Sequence, residues 1–494
     1  MVFSTILFLF RFLPITLALY YLAPAKLKNT VLFLCSLVFY CWGEVRFFPI
    51  MIALILLNYL CGLGLERFDG SEPARKFFLL AGLVGSLGML FYFKYANFVL
   101  SSANALLGTS FSPIQGISTL PLGISFYTFQ TLSYTIDVYR RDVKTEHNII
   151  DFGAYVVMFP QLIAGPIVKY RDVAAQLHVT HGRYNLKQIE DGMTLFTFGL
   201  AKKVLLADTI GALWTDIIGI ADSPSTTFVG LANASTALVW LGVIAYSLQL
   251  YFDFSGYCDI AAGCARLLGL RLPVNFDSPY RSLSVTEFCK RWHMTLTAFL
   301  RECVYFPLGG SRRGQGRTYL NILVVYLISG IWHGAGWTFI VWGLLHGAAQ
   351  VTERLWGGRR DALPKWLRWV MTFFFLNLAW VFFRAPDISA AAALLKTAVT
   401  GGFGGIRPWL VNGLFRREFS ALELLAPAVR PYTTYLRVAL ILGAGLLTAL
   451  WPRNTVRQME EFRPTVRSCL TTALLAAWSI LSFTGVVTFI YSNF

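Results

Sequence analysis

The chain has 494 residues, of which 56% are hydrophobic and only 14% are charged, whereas soluble domains carry about 25% charged residues. Apolar runs recur along its whole length, and several approach the roughly 20 residues that a helix needs to cross a bilayer. This composition excludes an ordinary soluble domain and predicts an all-α polytopic membrane protein.

The charge balance is strongly basic, with 42 Lys and Arg against 26 Asp and Glu and a formal net charge of +16. In a soluble protein such an excess would suggest a nucleic-acid partner. Here the basic residues cluster in short connectors between apolar runs, as at Lys26/Lys28, Arg140/Arg141, Arg312/Arg313 and Arg359/Arg360. That distribution is typical of cytoplasmic loops and anionic lipid headgroups, so we expect membrane lipids and no nucleic acid as partners.

Candidate membrane spans, in chain order, cover residues 2–22, 30–41, 47–65, 77–100, 117–136, 152–168, 193–219, 228–252, 318–350, 366–384, 434–452 and 468–491. We expect about ten to thirteen transmembrane helices, with short runs such as 30–41 and 152–168 re-entrant or interfacial. The first span is expected to be a retained helix. The mixed stretch 385–433 is predicted to be an interfacial loop. The simplest organisation is one integral membrane domain over 1–494, with a core at about 117–350 and C-terminal helices at about 366–491.

The block from 246 to 350 is more polar than the rest. Gln249 and Asp253 are four residues apart and share one helical face, and a carboxylate in such surroundings needs a partner or water. Further on, Ser284 to Glu287 has the pattern of a capping box that opens a helix, predicted to continue to Phe306. Glu287 and Arg291 are spaced to pair along it, and a purely structural role for these groups stays open.

Two histidines stand out in this block. His333 lies in LISGIWHGAGW (327–337) and His293 in RWHM (291–294), and an ionisable group at membrane depth costs on the order of 2–4 kcal/mol. The 40 residues between them, 333 − 293, allow a helix, a loop and a return, so the rings could face each other across a cavity. The alternative is neutral histidines hydrogen-bonded between packed helices. His346 is 13 residues past His333, which on one ideal helix over 318–350 points it to another face.

Two buried imidazoles suit general-base chemistry on a hydroxyl group, a contribution of roughly 10²–10⁴ in rate. The same residues would also suit a proton-coupled transporter with a histidine relay, and these two classes stay open on the residues alone. The chain has no HExxH, Walker loop or dinucleotide fingerprint. We therefore expect no metal ion and no permanently bound cofactor.

Ordered motifs extend along nearly the whole chain. They are PLGISFYTFQ (121–130), SYTIDVYR (133–140), FPQLIAGPI (159–167), YSLQLYFDFSGY (246–257), RWH (291–293), YFPLGG (305–310), WHGA (332–335), WGLLHG (342–347) and the closing FIYSNF (489–494). With these motifs the chain resembles the membrane-bound O-acyltransferase (MBOAT) family, in its bacterial alginate O-acetyltransferase branch.

The resemblance implies an O-acetyltransferase in a bacterial inner membrane that serves an exported or cell-surface polysaccharide. It implies helices around a central funnel or tunnel, into which acetyl-CoA or another acyl thioester enters from the cytoplasm. Relatives work with separate periplasmic acetyltransferase proteins that complete acetylation of the polysaccharide, so such partners are expected here. The different-class alternatives are a multi-pass transporter or channel component and a non-catalytic scaffold of a polysaccharide export complex.

The resemblance also assigns roles to residues. His333 is expected to be the essential base and His293 the second active-site position, while Thr295 stands where relatives often carry serine. We expect the donor to be bound by three residues: Arg291, Trp332 and Arg301. The supporting residues around the site are expected to be Asp253, Gln249, Glu287 and His346.

Overall fold

The computed structural model describes residues 3–117, 119–178, 185–219, 234–402, 416–451 and 453–483 without 461 and 463, together with 228, 230, 231 and 404. Across these residues the chain forms helices joined by short connectors, and they contain no β-strand. The prediction of an all-α polytopic membrane protein is confirmed. The closing motif 489–494 lies outside the described residues.

The helices up to the site are α1 (Phe8–Leu22), α2 (Lys28–Glu44), α3 (Phe48–Arg67), α4 (Glu72–Leu107), α5 (Ile124–Arg140), α6 (Ile149–Val157), α7 (Tyr170–His178), α8 (Leu186–Ala201), α9 (Asp208–Ile217) and α10 (Thr236–Leu267). Those that follow are α11 (Val285–Arg291), α12 (Met294–Leu300), α13 (Gln315–His333), α14 (Trp337–Trp356), α15 (Lys365–Arg384), α16 (Ile388–Thr400), α17 (Arg416–Leu425), α18 (Thr433–Ala449), α19 (Thr455–Glu460) and α20 (Val466–Leu481). Many start at a polar residue whose side-chain oxygen accepts from a free backbone N–H in the first turn. These caps are Asn148, Asn185, Ser235, Ser284 and Asp387.

By length and composition, the described residues contain four helices suited to crossing a membrane, namely α3, α4, α10 and α15. Shorter apolar helices of 10–17 residues are α1, α16, α18 and α20. The expected span at 77–100 is part of the longer α4, and the expected span at 228–252 lies in α10 only from Thr236 onward. The count of ten to thirteen spans and the central funnel stay predictions, as does the single domain over 1–494.

Some of the expected helix boundaries are wrong. The stretch 385–433 is not simply a loop, because α16 and α17 lie within it. The span at 318–350 is not one helix, because α13 and α14 form a hairpin whose turn has extended backbone at Gly334 and Gly336. His346 therefore lies on a different helix from His333.

The hairpin is held by close approach of the two backbones at Gly330 and Gly343. A Cβ built on Gly330 would lie 2.3 Å from the carbonyl oxygen of Phe339, and one built on Gly343 would lie 2.3 Å from that of Tyr326. Small residues at a crossing let membrane helices pack in this way. The hairpin matters for the site because its turn follows directly after His333.

Replacing Gly343 with alanine is expected to destabilise the protein by about 1–3 kcal/mol, because the added methyl group meets backbone that cannot move aside. Gly88→Ala is the matched control, since a Cβ at Gly88 meets no atom within 4 Å. Thermal unfolding of the purified proteins, followed by fluorescence-detected gel filtration, measures the difference. Equal melting temperatures for the two variants would contradict the close crossing.

Candidate active site

His293 and His333 lie side by side in the interior. Their ring centroids are 6.4 Å apart, and the two residues are 2% and 3% exposed. Trp332 packs edge-on against both rings, at 5.9 Å from His293 and 4.9 Å from His333. The fold therefore brings together two rings that are 40 residues apart in the sequence.

His293 lies at a break between two helices. The predicted continuous helix from Ser284 to Phe306 is wrong, because α11 ends at Arg291 and His293 has left-handed backbone angles, φ 48° and ψ 53°. Non-glycine residues rarely adopt this conformation, and it persists only where surrounding contacts impose it. The preceding loop supplies those contacts: the Met294 amide donates to the Asn275 carbonyl at 2.9 Å, and the Asp277 amide donates to the Arg291 carbonyl at 3.0 Å.

The side chain of Asn275 holds the His293 ring. Its Oδ1 accepts from the Thr295 amide at 3.2 Å and from the Thr295 hydroxyl at 2.9 Å, and it lies 3.2 Å from His293 Nδ1. Because a backbone N–H can only donate, the accepting atom is the amide oxygen, and His293 Nδ1 must carry a proton to bond to it. Nε2 is then the nitrogen with the free lone pair, and it has no hydrogen-bond partner among the described residues.

Thr295 is well suited to the position where relatives often carry serine. Its hydroxyl donates to Asn275 and accepts from the Ile167 amide at 3.0 Å. A serine hydroxyl can make the same two bonds, so the difference leaves this part of the site intact.

His333 is the last residue of α13 and is enclosed by aromatic rings. Trp342 of α14 and Phe383 of α15 lie 5.0 and 5.3 Å from its ring centroid. The backbone at this helix end is bound by Lys94, whose Nζ lies 2.6 Å from the Trp332 carbonyl oxygen and 3.3 Å from that of His333. The ring thus sits at a helix terminus that neighbouring side chains cap.

The three residues expected to bind the donor are spread apart. Trp332 lies in the site, stacked on Phe129 at 5.4 Å. Arg291 pairs with Glu287 at 3.0 Å and lies 3.7 Å from Asp277. Arg301 is exposed. Donor binding by these three residues stays a prediction.

The expected supporting residues also differ in their surroundings. Asp253 pairs with Lys203 at 2.6 Å, and Gln249 packs against Gly211. Half of the predicted capping box is present, since the Glu287 amide donates to the Ser284 hydroxyl at 2.9 Å, but Glu287 Oε2 accepts from the Leu283 amide and not from that of Ser284. His346 lies behind Trp342, 4.6 Å from that ring, with Nδ1 3.1 Å from the Trp342 carbonyl oxygen. Of these four, His346 has the clearest link to His333, through the shared Trp342 ring.

Two residues that contact the histidine pair, Asn275 and Lys94, were not predicted from the sequence. Asn275 lies in NFDSPY (275–280), which has the pattern of a turn and carries no sign of a contact to a later histidine. Lys94 could have been found, because a lysine in the apolar run FYFKY (91–95) is an ionisable residue at membrane depth.

Two cavities share part of their lining, and the smaller, of about 20 Å³, is lined in part by Asn275. The larger, of about 860 Å³, has leucine-rich walls from α18 and α20 and a polar end with Lys202, Arg453 and Asn454. The smaller shares Lys202 and Asn454 and reaches Asn275 and Cys258. The volume of the larger cavity suits a small-molecule ligand.

In the part of the chain that the structure describes, one group of side chains could hold a metal ion. Ligand atoms of Glu146, Asp151 and His178 all lie within 4.8 Å of one another. Glu146 is buried and already accepts from Tyr170, while His178 is half exposed. These residues are not among those that contact the histidine pair.

The fold and the site define a polytopic α-helical membrane protein built around two adjacent buried histidines. The sequence model of the membrane-bound O-acyltransferase family matches residues 76–386, a range that contains both of them. The chain belongs to this family, and it is an O-acyltransferase.

Similar proteins are bacterial. The chain is 40% identical over 430 residues to the probable alginate O-acetylase AlgI of Azotobacter vinelandii, covering 86% of this chain and 82% of the relative. It is 37% identical to the peptidoglycan O-acetyltransferase of Helicobacter pylori, covering 82% and 81%. It is 27% identical to the teichoic acid D-alanyltransferase of Streptococcus thermophilus, covering 49% and 59%.

Proposed function

We propose that the chain moves an acetyl group from a cytoplasmic thioester, acetyl-CoA, toward hydroxyl groups of an exported or cell-surface polysaccharide such as alginate. The observation that carries this proposal is the buried histidine pair, with ring centroids 6.4 Å apart, in a member of an O-acyltransferase family. The names of the relatives support a polymer of the cell surface as the final acceptor.

In the proposed reaction His333 is the general base. It takes the proton of an acceptor hydroxyl as that oxygen attacks the thioester carbonyl carbon; a C–O bond forms, the C–S bond breaks, and the thiol leaves with a proton. His293 presents a lone pair at Nε2, so it can accept a hydrogen bond from an N–H or O–H of a bound substrate. That contact would orient the substrate beside His333.

The basic residues at the open end of the α13–α14 hairpin support transfer across the membrane. Arg312, Arg313 and Arg317 lie at the start of α13, and Arg359 and Arg360 follow α14. Basic residues favour the cytoplasmic side, and the 19 residues of α13 rise by ~28 Å. His333 would then lie toward the periplasmic side of a bacterial inner membrane, within reach of periplasmic acetyltransferase partners.

The two cavities support the cytoplasmic donor. Both cavities are lined by Lys202, which pairs with Asp259 at 2.6 Å, and the larger cavity adds Arg453; cationic side chains suit the phosphates of coenzyme A. Asn275, the residue that holds His293, lines the smaller cavity. Arg291, Trp332 and Arg301 remain our proposed donor-binding residues.

The proposal is tested in cells that lack their own copy of the gene and produce this chain from a plasmid. We expect the exported polysaccharide to regain acetyl esters. In inverted membrane vesicles we expect labelled acetyl-CoA to release free coenzyme A only when the chain is present. A transporter would carry substrate without thioester cleavage, and an absence of both signals at normal protein abundance would overturn the proposal.

A further inference from the structure

Lys94 is an unusual residue for its position. It lies in the apolar helix α4, inside a π-helical turn at Phe91–Tyr95. Among the described residues, the hydrogen-bond partners of its ammonium are the Ser125 hydroxyl at 3.1 Å and the carbonyl oxygens of Trp332 and His333. None of these is a carboxylate, so the charge is not there to complete an ion pair.

Its neighbour Tyr95 makes a matching contact. The Tyr95 hydroxyl donates to the Ile331 carbonyl oxygen at 2.9 Å. Lys94 and Tyr95 together therefore bind three consecutive carbonyls, those of residues 331, 332 and 333, at the end of α13. The last carbonyls of a helix have no partner within the helix, and a cation there also interacts favourably with the helix dipole.

These contacts of Lys94 and Tyr95, here called the clamp, hold the backbone that carries the His333 ring. After His333 the chain continues as extended backbone at Gly334, so no further helical turn holds the end of α13. The π-helical turn at Phe91–Tyr95 inserts one extra residue into a turn of α4. Such turns are often found at functional sites. It brings two successive side chains of α4 to the same helix end.

We propose that Lys94 is a positioning residue for acyl transfer, which fixes the end of α13 and with it the orientation of His333. The expected effect of Lys94 on kcat rests on the proposed function. The contact of Lys94 and Tyr95 with the end of α13 does not, because it can be measured by hydrogen exchange of the backbone amides.

The test compares Lys94→Met with Lys28→Met, a matched control in which a buried lysine over the rings of Tyr20 and Tyr21 is replaced. We expect Lys94→Met to lower kcat by about 10- to 100-fold with little change in KM for acetyl-CoA, because small misplacement of a catalytic group has effects of this size. Lys94→Arg, which keeps a cationic donor, is expected to recover a large part of the loss. Lys28→Met is expected to keep the wild-type kcat.

Hydrogen exchange supplies the second measurement. Amides of the peptide covering residues 327–337 are expected to exchange faster in Lys94→Met than in wild type or Lys28→Met, because the helix end opens more often. Wild type and His333→Ala are run in the same activity assay. Faster exchange in Lys94→Met with an inactive wild type would refute the proposed function and support the clamp.

Unchanged exchange at 327–337, or a kcat of Lys94→Met within threefold of wild type in an active protein, would overturn the inference. An equal loss of kcat in Lys28→Met would also overturn it, since the effect would then come from losing any buried lysine. If Lys94→Met does not accumulate in membranes, Tyr95→Phe replaces it. Lower kcat of Tyr95→Phe at normal melting temperature supports the clamp, and wild-type kcat in Tyr95→Phe overturns it.

Discussion

Replacing His333 with alanine is expected to abolish acetylation of the exported polysaccharide. The proposed base contributes roughly 10²–10⁴ to the rate, and the nearby His293 is not expected to take its place, because it is held through Nδ1 by Asn275. His333→Gln is expected to behave in the same way. Glutamine fills much of the space that His333 occupies among the side chains of Trp332, Trp342 and Phe383. Its amide cannot act as a general base.

The control for this prediction is His147→Ala. His147 pairs with Glu66 at 3.1 Å, and its side chain is 68% exposed. We expect this variant to keep wild-type acetylation. Membrane abundance of each protein is measured beside the acetyl ester content. Normal ester content in both His333 variants at equal abundance would remove the catalytic assignment and favour the scaffold alternative.

Replacing Asn275 with leucine is expected to lower kcat by about 100-fold or more. The change removes the oxygen that accepts from Thr295 and from His293 Nδ1, so the His293 ring can turn and its proton can move to Nε2. In serine-protease triads, loss of the group that fixes the histidine tautomer has an effect near 10⁴. The activity assay uses purified protein whose melting temperature is recorded in parallel.

Two further variants separate orientation of His293 from simple loss of stability. Asn275→Asp keeps an oxygen for the same donors, so we expect it to be more active than Asn275→Leu. Thr295→Ser keeps the hydroxyl that bridges Asn275 and the Ile167 amide, and near wild-type kcat is expected. Full activity of Asn275→Leu would show that His293 needs no fixed tautomer.

The parts of this fold that could be predicted are those that depend on composition or on neighbouring residues. The shortage of charge, 14% of the chain, is sufficient for an all-α membrane protein, since a bilayer requires backbone groups to pair within helices. The helix start capped by Ser284 was predictable because its hydrogen bond to the Glu287 amide lies within four residues. Helix continuity was not predictable, since tertiary contacts end α11 before His293.

By itself the sequence determined that the chain is an all-α membrane protein. It also singled out the two histidines, because an ionisable side chain in an apolar run is costly wherever the chain places it. Only the tertiary structure decided what surrounds them. Asn275 is 18 residues from His293 and Lys94 is 239 residues from His333, and no local pattern encodes contacts over such separations. The partner of Asp253, the Lys203 ammonium, was likewise supplied by the packing of separate helical segments. Residue type alone decides that an imidazole can accept or donate a proton. The orientation of each imidazole depends on a group that is distant in the sequence, the Asn275 amide oxygen for His293 and the Lys94 ammonium for His333.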